Sequence, residues 1–281
     1  MKRTRLFVIG CTGSVGGSVL SVCRAFPDFF EVRALAAHSS AAETEKLAGE
    51  FQVDRVVLSD PEAAADLRRS SAGRLKVLEG SEALEETASG TDIDHVVVAS
   101  SGTGAIGALM AALRSGKDVS LANKESIVVA GQWVLPLIGR EGQLRPLDSE
   151  HNAVWQCLAG RDPASVSRVV LTASGGPFRT FSPEELEKVT PSMAVRHPVW
   201  SMGAKISVDS ATMANKGLEI IAAHHLFGVA YDRIEVVVHP QLVVHYAVRL
   251  RDGALLAHMG VADMRVPIAY ALHHPERVDI E

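Results

Sequence analysis

The sequence predicts an α/β protein in which a Rossmann-like, doubly wound parallel sheet is followed by an α+β domain. Short apolar runs alternate with helical patterns through the first half of the chain, which is typical of a parallel sheet with crossover helices. A glycine-rich loop follows the first apolar run, the place where such sheets carry their best-known sequence signature. Beyond Leu144 the pattern changes to longer strands that end in a hairpin signal. We therefore expect two domains, residues 1–147 and residues 148–281.

The elements of the first domain are predicted by the period of their apolar residues and by the residues that cap them. Strands are expected at Leu6–Ile9, Val32–Ala37, Arg55–Leu58, Leu75–Leu78, His95–Ala99 and Asp118–Leu121. Helices are expected at Val15–Ala25, Ala41–Phe51, Pro61–Arg69, Ser81–Ala88 and Gly104–Ser115. Because each strand is joined to the next through a helix, the strands should lie parallel.

The second domain is predicted to combine strands, helices and long loops. Strands are expected at Val169–Thr172, Arg233–Val238, Val243–Leu250 and Ala254–Met259, the last two joined by a turn at Arg251–Gly253. Helices are expected at Pro183–Val189, capped by Ser182, and at Ser210–Phe227. The weakly periodic segment Thr190–Ala204 predicts a long loop, and long loops in compact domains often act as lids. We expect such a lid at about residues 174–204.

Composition and charge argue against two classes of partner. The 281 residues are 47% hydrophobic and 22% charged, with a formal net charge of −5 at pH 7. No basic block offers the phosphate attraction on which nucleic-acid binding relies, and no apolar run approaches the length of a membrane span. The start, Met1–Cys11, resembles a signal peptide, but its apolar core Leu6–Ile9 is too short. Three cysteines without metal-ligand spacing, Cys11, Cys23 and Cys157, indicate reduced thiols and a cytoplasmic protein.

A glycine-rich loop lies between the first predicted strand and the first predicted helix. Its residues Gly10–Gly16 have the spacing G-x-x-G-x-x-G rather than the commoner G-x-G-x-x-G. The glycines permit a tight turn and let a pyrophosphate approach the backbone N–H groups at the start of the helix. The position directly after the first strand therefore favours a dinucleotide site.

The end of the second predicted strand indicates which dinucleotide would bind. NAD-binding sheets usually place Asp or Glu there to hold the ribose 2′-hydroxyl, whereas this chain has Ala36–Ser40. With no carboxylate to repel a 2′-phosphate, His38, Ser39 and Ser40 can hydrogen-bond one, and Arg33 is a further candidate. NADP(H) is therefore the favoured cofactor, and a polar loop without a ligand is the alternative.

Two carboxylates, Asp148 and Glu150, precede an apolar run, Ala153–Leu158, that predicts a helix capped by Asp148 or Ser149. An extended backbone would direct both carboxylates to the same side, where they repel each other unless a proton or a cation lies between them. Glu219 is a candidate third ligand, and three hard oxygen ligands favour Mg²⁺ or Mn²⁺ over zinc. The alternative is that both acids only stabilise the start of the helix.

The stretch Asp209–Glu219 predicts a helix with three polar groups on one stripe. Glu219 comes four residues after Asn215 and three after Lys216, so it neighbours both on a helix. A site for a metal and an anionic substrate needs this mixture of carboxylate, amide and ammonium. A solvated face with an ion pair is the alternative.

A lysine and a glutamate follow the predicted strand Asp118–Leu121. Lys124 and Glu125 would lie beyond the carboxyl end of the parallel sheet, where ligands of such folds bind. Surface charge is the alternative interpretation.

Six segments occur in an order that matches one known family. They are Gly10–Gly16, Leu121–Ser126, Asp148–Ala153, Ser174–Arg179, His197–Gly203 and Lys205–Glu219. Over the whole chain they resemble the 1-deoxy-D-xylulose 5-phosphate reductoisomerases. The resemblance implies conversion of 1-deoxy-D-xylulose 5-phosphate to 2-C-methyl-D-erythritol 4-phosphate in non-mevalonate isoprenoid biosynthesis, with NADPH and Mg²⁺ or Mn²⁺. It also implies that the second domain is an α+β catalytic and dimerisation domain, so that the protein forms a homodimer.

The resemblance assigns roles to residues of this chain, position by position. Its metal ligands are Asp148, Glu150 and Glu219. Lys124 assists proton transfer, and these four residues are the catalytic residues that the resemblance implies. Its contacts to the phosphorylated sugar substrate are Lys124, Ser149, Glu150, Ser174, His197, Ser210, Asn215, Lys216 and Glu219. Its NADPH contacts are Thr12, Gly13, Ser14, Val15, Asn123, Glu125 and Gly203, beside the loop His38, Ser39 and Ser40. The implied mechanism is metal-assisted carbon–carbon rearrangement followed by hydride transfer from NADPH to an aldehyde.

The chain departs from the family pattern at two places. The loop His38–Ser40 replaces the Gly, Lys or Asn that members often carry, which implies altered affinity for NADPH. The chain stops at Glu281, shortly after Asp263–Leu272, where members continue into a linker and a C-terminal helical domain, so we expect it to bind ligands yet turn over poorly. A truncated, catalytically silent NADPH-binding module is therefore one alternative function. A semialdehyde dehydrogenase of similar layout is another, but Cys11 in the glycine loop and Cys157 in an apolar helix do not suit an activated thiol.

Overall fold

The computed structural model describes residues 2–196, 203–241 and 243–280. The chain forms two compact units, residues 1–148 together with 264–281, and residues 149–263. The second unit therefore begins at Ser149, one residue later than the predicted start of the second domain at residue 148. The assignment of residues 264–281 to the second domain is wrong, because this segment belongs to the first unit.

The first unit contains a seven-stranded parallel sheet. Its strands are β1 (Thr4–Ile9), β2 (Phe30–Ala37), β3 (Arg55–Leu58), β4 (Lys76–Glu79), β5 (His95–Val98), β6 (Asp118–Leu121) and β7 (Leu144–Pro146). The order across the sheet is β4-β3-β2-β1-β5-β6-β7. The chain crosses from the edge strand β4 back to β5, so the order reverses between the neighbouring strands β1 and β5. The crevice outside the carboxyl ends at such a switch point is where doubly wound sheets bind ligands.

The helices of the first unit connect its strands. They are α1 (Ser14–Ala25), α2 (Ala41–Glu50), α3 (Pro61–Ser71), α4 (Gly80–Ser89), α5 (Ile106–Arg114) and α6 (Lys124–Val134), with α12 (Arg265–His273) added by the returning chain. Strand residues such as Leu6, Phe7 and Val8 have no exposed surface. A strand buried on both faces has a continuous apolar sequence, which is why the short apolar runs predicted most of these strands within one or two residues; β7 was not predicted.

Helix α12 packs against α1, and specific contacts explain why it joins the first unit. The imidazole of His273 lies 4.8 Å from the ring of Phe26, 5.0 Å from that of Phe29 and 4.8 Å from that of Phe30, measured between centroids. Arg145, on the edge strand β7, also contacts this helix: its Nη1 donates to the carbonyl oxygen of Ala271 at 2.8 Å. These contacts join residues far apart in sequence, so local patterns did not predict them.

The second unit contains a four-stranded mixed sheet. Its strands are β8 (Val166–Ala173), β9 (Ile234–Val238), β10 (Val244–Leu250) and β11 (Leu255–Met259), in the order β11-β10-β8-β9. Strand β10 is antiparallel to β8 and β11, and β9 is parallel to β8. Gly253, at φ +90°, closes the hairpin between β10 and β11 at the predicted position. The core of this unit includes Val154, Leu171, Tyr246 and Val248, all without exposed surface.

The helices of the second unit differ from the prediction at one important point. They are α7 (Ser149–Leu158), α8 (Pro183–Leu186), α9 (Pro191–Ala194), α10 (Ala204–Ala211) and α11 (Ala214–Phe227). A single helix over Ser210–Phe227 is wrong, because Met213 adopts φ +62° and separates α10 from α11. The Thr212 hydroxyl bonds back to the carbonyl oxygens of Val208 at 3.2 Å and Asp209 at 3.1 Å, a local alternative that competes with continued helix.

The predicted lid falls partly outside the described residues. Residues 197–202 are not among them, and the described part of the expected loop at 190–204 contains α9 and the start of α10. Ser182 caps α8 through a reciprocal pair of hydrogen bonds with Glu185, as its sequence predicts. Among the described helices, none has both the length and the hydropathy to cross a membrane.

Candidate active site

The glycine loop makes a tight turn between β1 and α1. Gly10 has φ +82°, and a Cβ built on it would lie 2.5 Å from the backbone nitrogen of Ser100. A Cβ built on Gly16 would lie 2.1 Å from the carbonyl oxygen of Gly10, so only glycine fits at both positions. Gly13 caps α1 without a side-chain hydrogen bond, and the first turn carries no acidic residue. Such a helix end attracts anions, and the contact of Thr12–Val15 with a pyrophosphate stays a prediction.

The loop after β2 is exposed and has a neighbour that sequence reasoning missed. His38, Ser39 and Ser40 are all exposed. His38 Nδ1 lies 3.1 Å from the Oγ of Ser59, the first residue after β3. Because the carboxyl ends of neighbouring parallel strands meet at one edge of a sheet, that rule could have found Ser59 from the sequence. The hydroxyl of Ser59 extends the polar loop proposed for the 2′-phosphate.

Arg33 does not join this loop. Its guanidinium lies 3.1 Å from Glu31 Oε1 and 4.0 Å from Asp92 Oδ2. Glu31 is near the amino end of β2 and Asp92 precedes β5, so these contacts direct Arg33 toward the opposite end of the sheet. The suggestion of Arg33 as a 2′-phosphate contact is therefore wrong.

Asn123 connects the loop after β5 to the start of α6. Its Nδ2 donates to the carbonyl oxygens of Ser100 at 2.6 Å and Gly102 at 2.7 Å. Its Oδ1 accepts from the backbone nitrogen of Ser126 at 2.7 Å and from the Ser126 hydroxyl at 2.6 Å. The side-chain amide of Asn123 thus joins two loops at the edge of the sheet through hydrogen bonds. Its contact with a cofactor stays a prediction. Glu125, in the first turn of α6, is half-buried.

Lys124 forms a buried ion pair with Asp148. The two side chains are only 7% and 10% exposed, and Nζ contacts Oδ2 of the carboxylate. Charges removed from water need a close partner of opposite sign, which each provides for the other. The ammonium is therefore held beside one of the predicted metal ligands.

Three carboxylates converge as the sequence suggested, but for a different local reason. One oxygen from each of Asp148, Glu150 and Glu219 lies within 4.8 Å of the others. The extended backbone expected for Asp148 and Glu150 is wrong, because Glu150 lies in the first turn of α7, which begins at Ser149. The chain turns into the helix there and brings the carboxylates together. Ser149 Oγ donates to Glu150 Oε2 at 2.9 Å.

Glu219 lies beside Asn215 and Lys216 on α11, as their spacing predicts. Asn215 Nδ2 contacts Oε1 of Glu219, and Lys216 Nζ contacts Oε2. The same ammonium lies 3.9 Å from Glu150 Oε1. Glu219 has no exposed surface, so this ammonium compensates a carboxylate that water does not reach.

The predicted phosphate ligands Ser174 and Ser210 come from two segments that touch. Gly176 has φ +73°, and a Cβ built on it would lie 2.9 Å from the carbonyl oxygen of Ser210 and 3.2 Å from the Cα of Ala211. The hydroxyl of Ser174 accepts a hydrogen bond from the Gly176 backbone nitrogen at 3.1 Å. The small-residue loop therefore packs against the carboxyl end of α10, an approach that only glycine allows. The next helix, α11, starts after Met213, whose side chain makes no cap, and its first backbone nitrogen, that of Ala214, donates to Oγ1 of Thr212 at 3.4 Å.

Comparison with known proteins identifies the family. The model of 1-deoxy-D-xylulose 5-phosphate reductoisomerase matches residues 6–131, and that of the C-terminal domain of the same enzyme matches residues 144–227. The reductoisomerase of Cupriavidus pinatubonensis is 48% identical over 98% of this chain and 71% of its own length. That of Desulfitobacterium hafniense strain DSM 10664 is 47% identical over 97% of this chain and 72% of its own length.

The chain belongs to the 1-deoxy-D-xylulose 5-phosphate reductoisomerase family.

Solved reductoisomerases share its fold. A crystal structure of DOX-P reductoisomerase in complex with NADPH, fosmidomycin and magnesium superposes with a TM-score of 0.93 at 40% identity, covering 98% of this chain and 71% of that one. The enzyme from Zymomonas mobilis in complex with NADPH gives a TM-score of 0.90 at 41% identity, covering 99% and 73%. The resemblance inferred from the motifs is confirmed, as is the Rossmann-like sheet followed by a second α+β unit.

The cysteines of this reductoisomerase-family chain do not suit thiol catalysis. Burial raises the pKa of Cys11 to about 11 and that of Cys23 to about 12. Burial also raises the pKa of Cys157. A nucleophilic cysteine needs a lowered pKa. The three raised pKa values therefore argue against a semialdehyde dehydrogenase, which requires an activated thiol.

For two residues that the reductoisomerase pattern assigns to the site, the structure describes no contact with the other site residues. His197 lies outside the described residues, as do Trp200 and Met202 of the expected lid. Gly203 is the cap residue of α10, and a Cβ built on it would meet no atom within 4 Å among the described residues other than its chain neighbours. The roles of His197 and Gly203 remain predictions.

Proposed function

We propose that this chain catalyses the NADPH- and divalent-metal-dependent isomerisation and reduction of 1-deoxy-D-xylulose 5-phosphate to 2-C-methyl-D-erythritol 4-phosphate, a step of non-mevalonate isoprenoid biosynthesis. The observation that carries this proposal is the convergence of Asp148, Glu150 and Glu219 within 4.8 Å in a member of the reductoisomerase family. A relative solved with NADPH, fosmidomycin and magnesium supports both cofactors.

The carboxylate cluster fits a hard divalent cation. Its donors are oxygens alone, with no Cys or His in the group, which suits Mg²⁺ or Mn²⁺ rather than zinc. A cation held by Asp148, Glu150 and Glu219 would supply Lewis-acid polarisation of the ketone and the adjacent hydroxyl oxygen of the substrate.

Lys124 is the residue that we propose for proton transfer. Its ammonium is nearly buried against Asp148, beside a proposed metal ligand. A positive donor in a site with little water stabilises negative charge that develops on a substrate oxygen, and it can pass a proton to that oxygen. Ser149, which already donates to Glu150, is proposed to contact the sugar backbone.

The substrate phosphate is proposed to bind at the junction of the small-residue loop with α10 and α11. The proposed donors are Ser174, Ser210, Asn215 and Lys216, of which Asn215 and Lys216 contact Glu219 in this structure. The amino end of α11 also lies there, and the positive end of a helix dipole favours an anion. The family pattern adds His197 to this set.

NADPH is proposed to bind along the carboxyl edge of the parallel sheet. The uncapped start of α1 would receive the pyrophosphate, and the exposed loop His38–Ser40 with Ser59 would receive the 2′-phosphate. The further proposed contacts are Thr12, Gly13, Ser14, Val15, Asn123, Glu125 and Gly203. We propose that residues 174–204 close over the bound ligands and exclude water during the reaction.

Two copies are proposed to associate through the sheet of the second unit. Strand β9 forms one edge of this sheet, and its Val236, Val237 and Val238 are 37%, 41% and 53% exposed. Leu255 and Met259 on the opposite edge strand, β11, are 56% and 61% exposed. Exposed apolar edge strands are usually covered in a native assembly. Sedimentation equilibrium should give twice the 29.9 kDa chain mass, and a Val237→Lys variant should sediment as a monomer.

We also place the protein in the cytoplasm. Cys11, Cys23 and Cys157 are free, and the first two are buried. Cysteines that remain unpaired are usual in a reducing compartment. Cell fractionation with an antibody against the chain tests this placement.

The proposed activity is tested by turnover of the full chain with 1-deoxy-D-xylulose 5-phosphate, NADPH and Mg²⁺. We expect loss of NADPH absorbance and a product with the mass of 2-C-methyl-D-erythritol 4-phosphate. Binding of NADPH without its oxidation would favour the silent NADPH-binding module instead. Turnover that persists after chelation of the metal would contradict the role of the carboxylates, and a Cys157→Ala variant should keep full activity.

A further inference from the structure

We infer that Lys216 acts as a temporary counter-ion: its ammonium neutralises Glu219 and Glu150 until a divalent cation binds, and then transfers to the substrate phosphate. The inference rests on the proposed function and deepens it, because it couples binding of the metal to binding of the phosphate. The coupling would pass through one side chain of this protein.

The ammonium of Lys216 occupies oxygens that the cation needs. It contacts Oε2 of Glu219 and lies 3.9 Å from Oε1 of Glu150. Both carboxylates belong to the group whose oxygens lie within 4.8 Å of one another. Glu219 has no exposed surface, and the side chain of Lys216 is 7% exposed, so water screens this pair poorly.

A divalent cation and the ammonium cannot both remain on these oxygens at low cost. The three carboxylates of the metal site carry three negative charges and contact two ammonium groups, those of Lys124 and Lys216, so a divalent cation would change the net charge of the group from −1 to +1. The ammonium would then be an excess positive charge beside the cation, and like charges repel strongly where water is excluded. Asn215, which contacts the other oxygen of Glu219, is neutral and can stay in place.

The displaced ammonium has an anionic partner within reach of its own side chain. Lys216 lies in the first turn of α11, at the helix end proposed for the phosphate. Its four-carbon stem lets the ammonium swing without movement of the helix. The ammonium lies 6.0 Å from the ring centroid of Tyr246, which attracts it weakly but carries no counter-charge. The ammonium of Lys216 therefore needs an anionic partner both when it contacts the carboxylates and after the cation displaces it.

Cooperative binding follows from this exchange. Without phosphate, the cation must separate the ammonium of Lys216 from the carboxylates that it contacts, so the cation binds more weakly. With phosphate present, the displaced ammonium is neutralised again, and linkage requires that the cation improves phosphate binding by the same factor. A factor of about ten is typical of such coupling.

The test is binding of Mn²⁺ to the full chain, followed by the electron paramagnetic resonance of the free ion, with and without inorganic phosphate. No sugar substrate or NADPH is added, so the readout is independent of activity. In the wild type we expect phosphate to tighten Mn²⁺ binding about tenfold. In Lys216→Gln we expect Mn²⁺ alone to bind more tightly than in the wild type, and phosphate to change its affinity less than about twofold.

The matched control is Lys205→Gln. Lys205 is 52% exposed and pairs with Asp209 at 2.8 Å on the neighbouring helix α10. Removal of this charge should leave both the Mn²⁺ affinity and its response to phosphate as in the wild type. Lys216→Arg keeps the positive charge and is the second variant, expected to retain the coupling even if Lys216→Gln fails to fold.

The outcomes separate this inference from the proposed function. If Mn²⁺ does not bind the wild type at all, the proposed metal site fails. If Mn²⁺ binds but phosphate leaves its affinity unchanged, or Lys216→Gln responds to phosphate as the wild type does, the counter-ion role is overturned and the metal site stands. In a crystal grown with Mg²⁺ and without phosphate, Nζ of Lys216 should have left Glu219; a retained contact would equally overturn the inference.

Discussion

The ammonium of Lys216 contacts the carboxylate of Glu219 three residues later on α11, and Glu219 has no exposed surface. Residues at this spacing are neighbours on any helix, so the pair forms with the helix itself. Glu150, from α7, adds a second carboxylate 3.9 Å from the same nitrogen. A buried carboxylate is thus kept in place by local geometry and is brought to the candidate metal site by tertiary packing.

Glu219→Gln should abolish metal-dependent activity. The substitution removes one proposed ligand and leaves Lys216 with Glu150 as its nearest carboxylate. We expect the affinity for Mg²⁺ to fall at least about 100-fold and the free energy of unfolding to fall by about 3 kcal/mol or less, since one anionic partner remains. Titration calorimetry and urea unfolding measure the two effects. Glu187→Gln, at an exposed position, is the control; an unchanged Mg²⁺ affinity in Glu219→Gln would contradict the ligand assignment.

Gly176→Ala should impair recognition of the phosphate more than the chemical step. The new Cβ would overlap the Ser210 carbonyl oxygen at 2.9 Å and push the small-residue loop away from α10. We expect KM for the substrate to rise about tenfold, kcat to change less, and stability to fall by about 1–3 kcal/mol. Gly228→Ala is matched in backbone strain, with φ +62°, but its Cβ would meet no described atom within 4 Å other than its chain neighbours. It should lose about 1–2 kcal/mol of stability with KM unchanged, and equal KM values for the two variants would exclude the steric explanation.

Adjacent glycines in α1 should respond oppositely to alanine. In Gly16→Ala the Cβ would lie 2.1 Å from the Gly10 carbonyl oxygen, whereas a Cβ on Gly17 would meet no described atom within 4 Å apart from the backbone of its own helix and its chain neighbours. We expect Gly16→Ala to weaken NADPH binding more than about tenfold and to destabilise the first unit by about 1–3 kcal/mol. Gly17→Ala should bind NADPH normally and gain about 0.5–1 kcal/mol from helix propensity. NADPH fluorescence and thermal unfolding compare the pair, and tight NADPH binding by Gly16→Ala would refute the loop assignment.

Ser39→Asp should shift the cofactor preference away from NADPH. A carboxylate in the exposed loop after β2 would repel a 2′-phosphate while accepting a hydrogen bond from a 2′-hydroxyl. Repulsion of about 1–2 kcal/mol corresponds to a loss of about tenfold in NADPH affinity. The ratio of kcat/KM for NADPH and NADH is the measurement, with Ser81→Asp, an exposed position on α4, as the control for added charge. An unaltered ratio would place the 2′-phosphate elsewhere.

The Arg5–Asp94 ion pair should contribute stability that is lost in acid. Arg5 donates from Nε at 2.8 Å and from Nη2 at 2.7 Å to the two carboxylate oxygens, which lowers the pKa of Asp94 to about 2 from its usual 3.8. Because the folded carboxyl binds a proton less readily than the unfolded one, the contribution is present above about pH 4 and disappears as the pH falls toward about 2.

The difference in unfolding free energy between wild type and Asp94→Asn, measured by urea unfolding, should therefore shrink across this window. Asp28→Asn, an exposed substitution in the same unit, is the control, whose difference from the wild type should stay constant. A constant difference for Asp94→Asn as well would show that the pair does not act through the carboxylate charge.

Most strands and the polar stripe of α11 were predictable because their signals are local. Asp118–Leu121 was predicted to be a strand and is β6, and the turn at Gly253 joins the two strands expected on either side of it. Apolar runs buried on both faces, turn glycines and residues three or four apart on a helix carry their structural meaning within a few neighbours. The grouping of Asn215, Lys216 and Glu219 belongs to this class.

Other features depend on contacts between distant segments, and no local pattern contains them. Three contacts join residues from different elements: Ser59 with His38, His273 of α12 with the Phe26 ring, and Gly176 with Ser210. The local conformation of Glu150 was misjudged for the same reason: the start of α7, rather than alternation along a strand, brings its carboxylate close to Asp148. Residue types and their spacing thus define which groups can act together, whereas the distances between those groups are set by packing across the whole chain, where backbone and side chains must fill space without overlap.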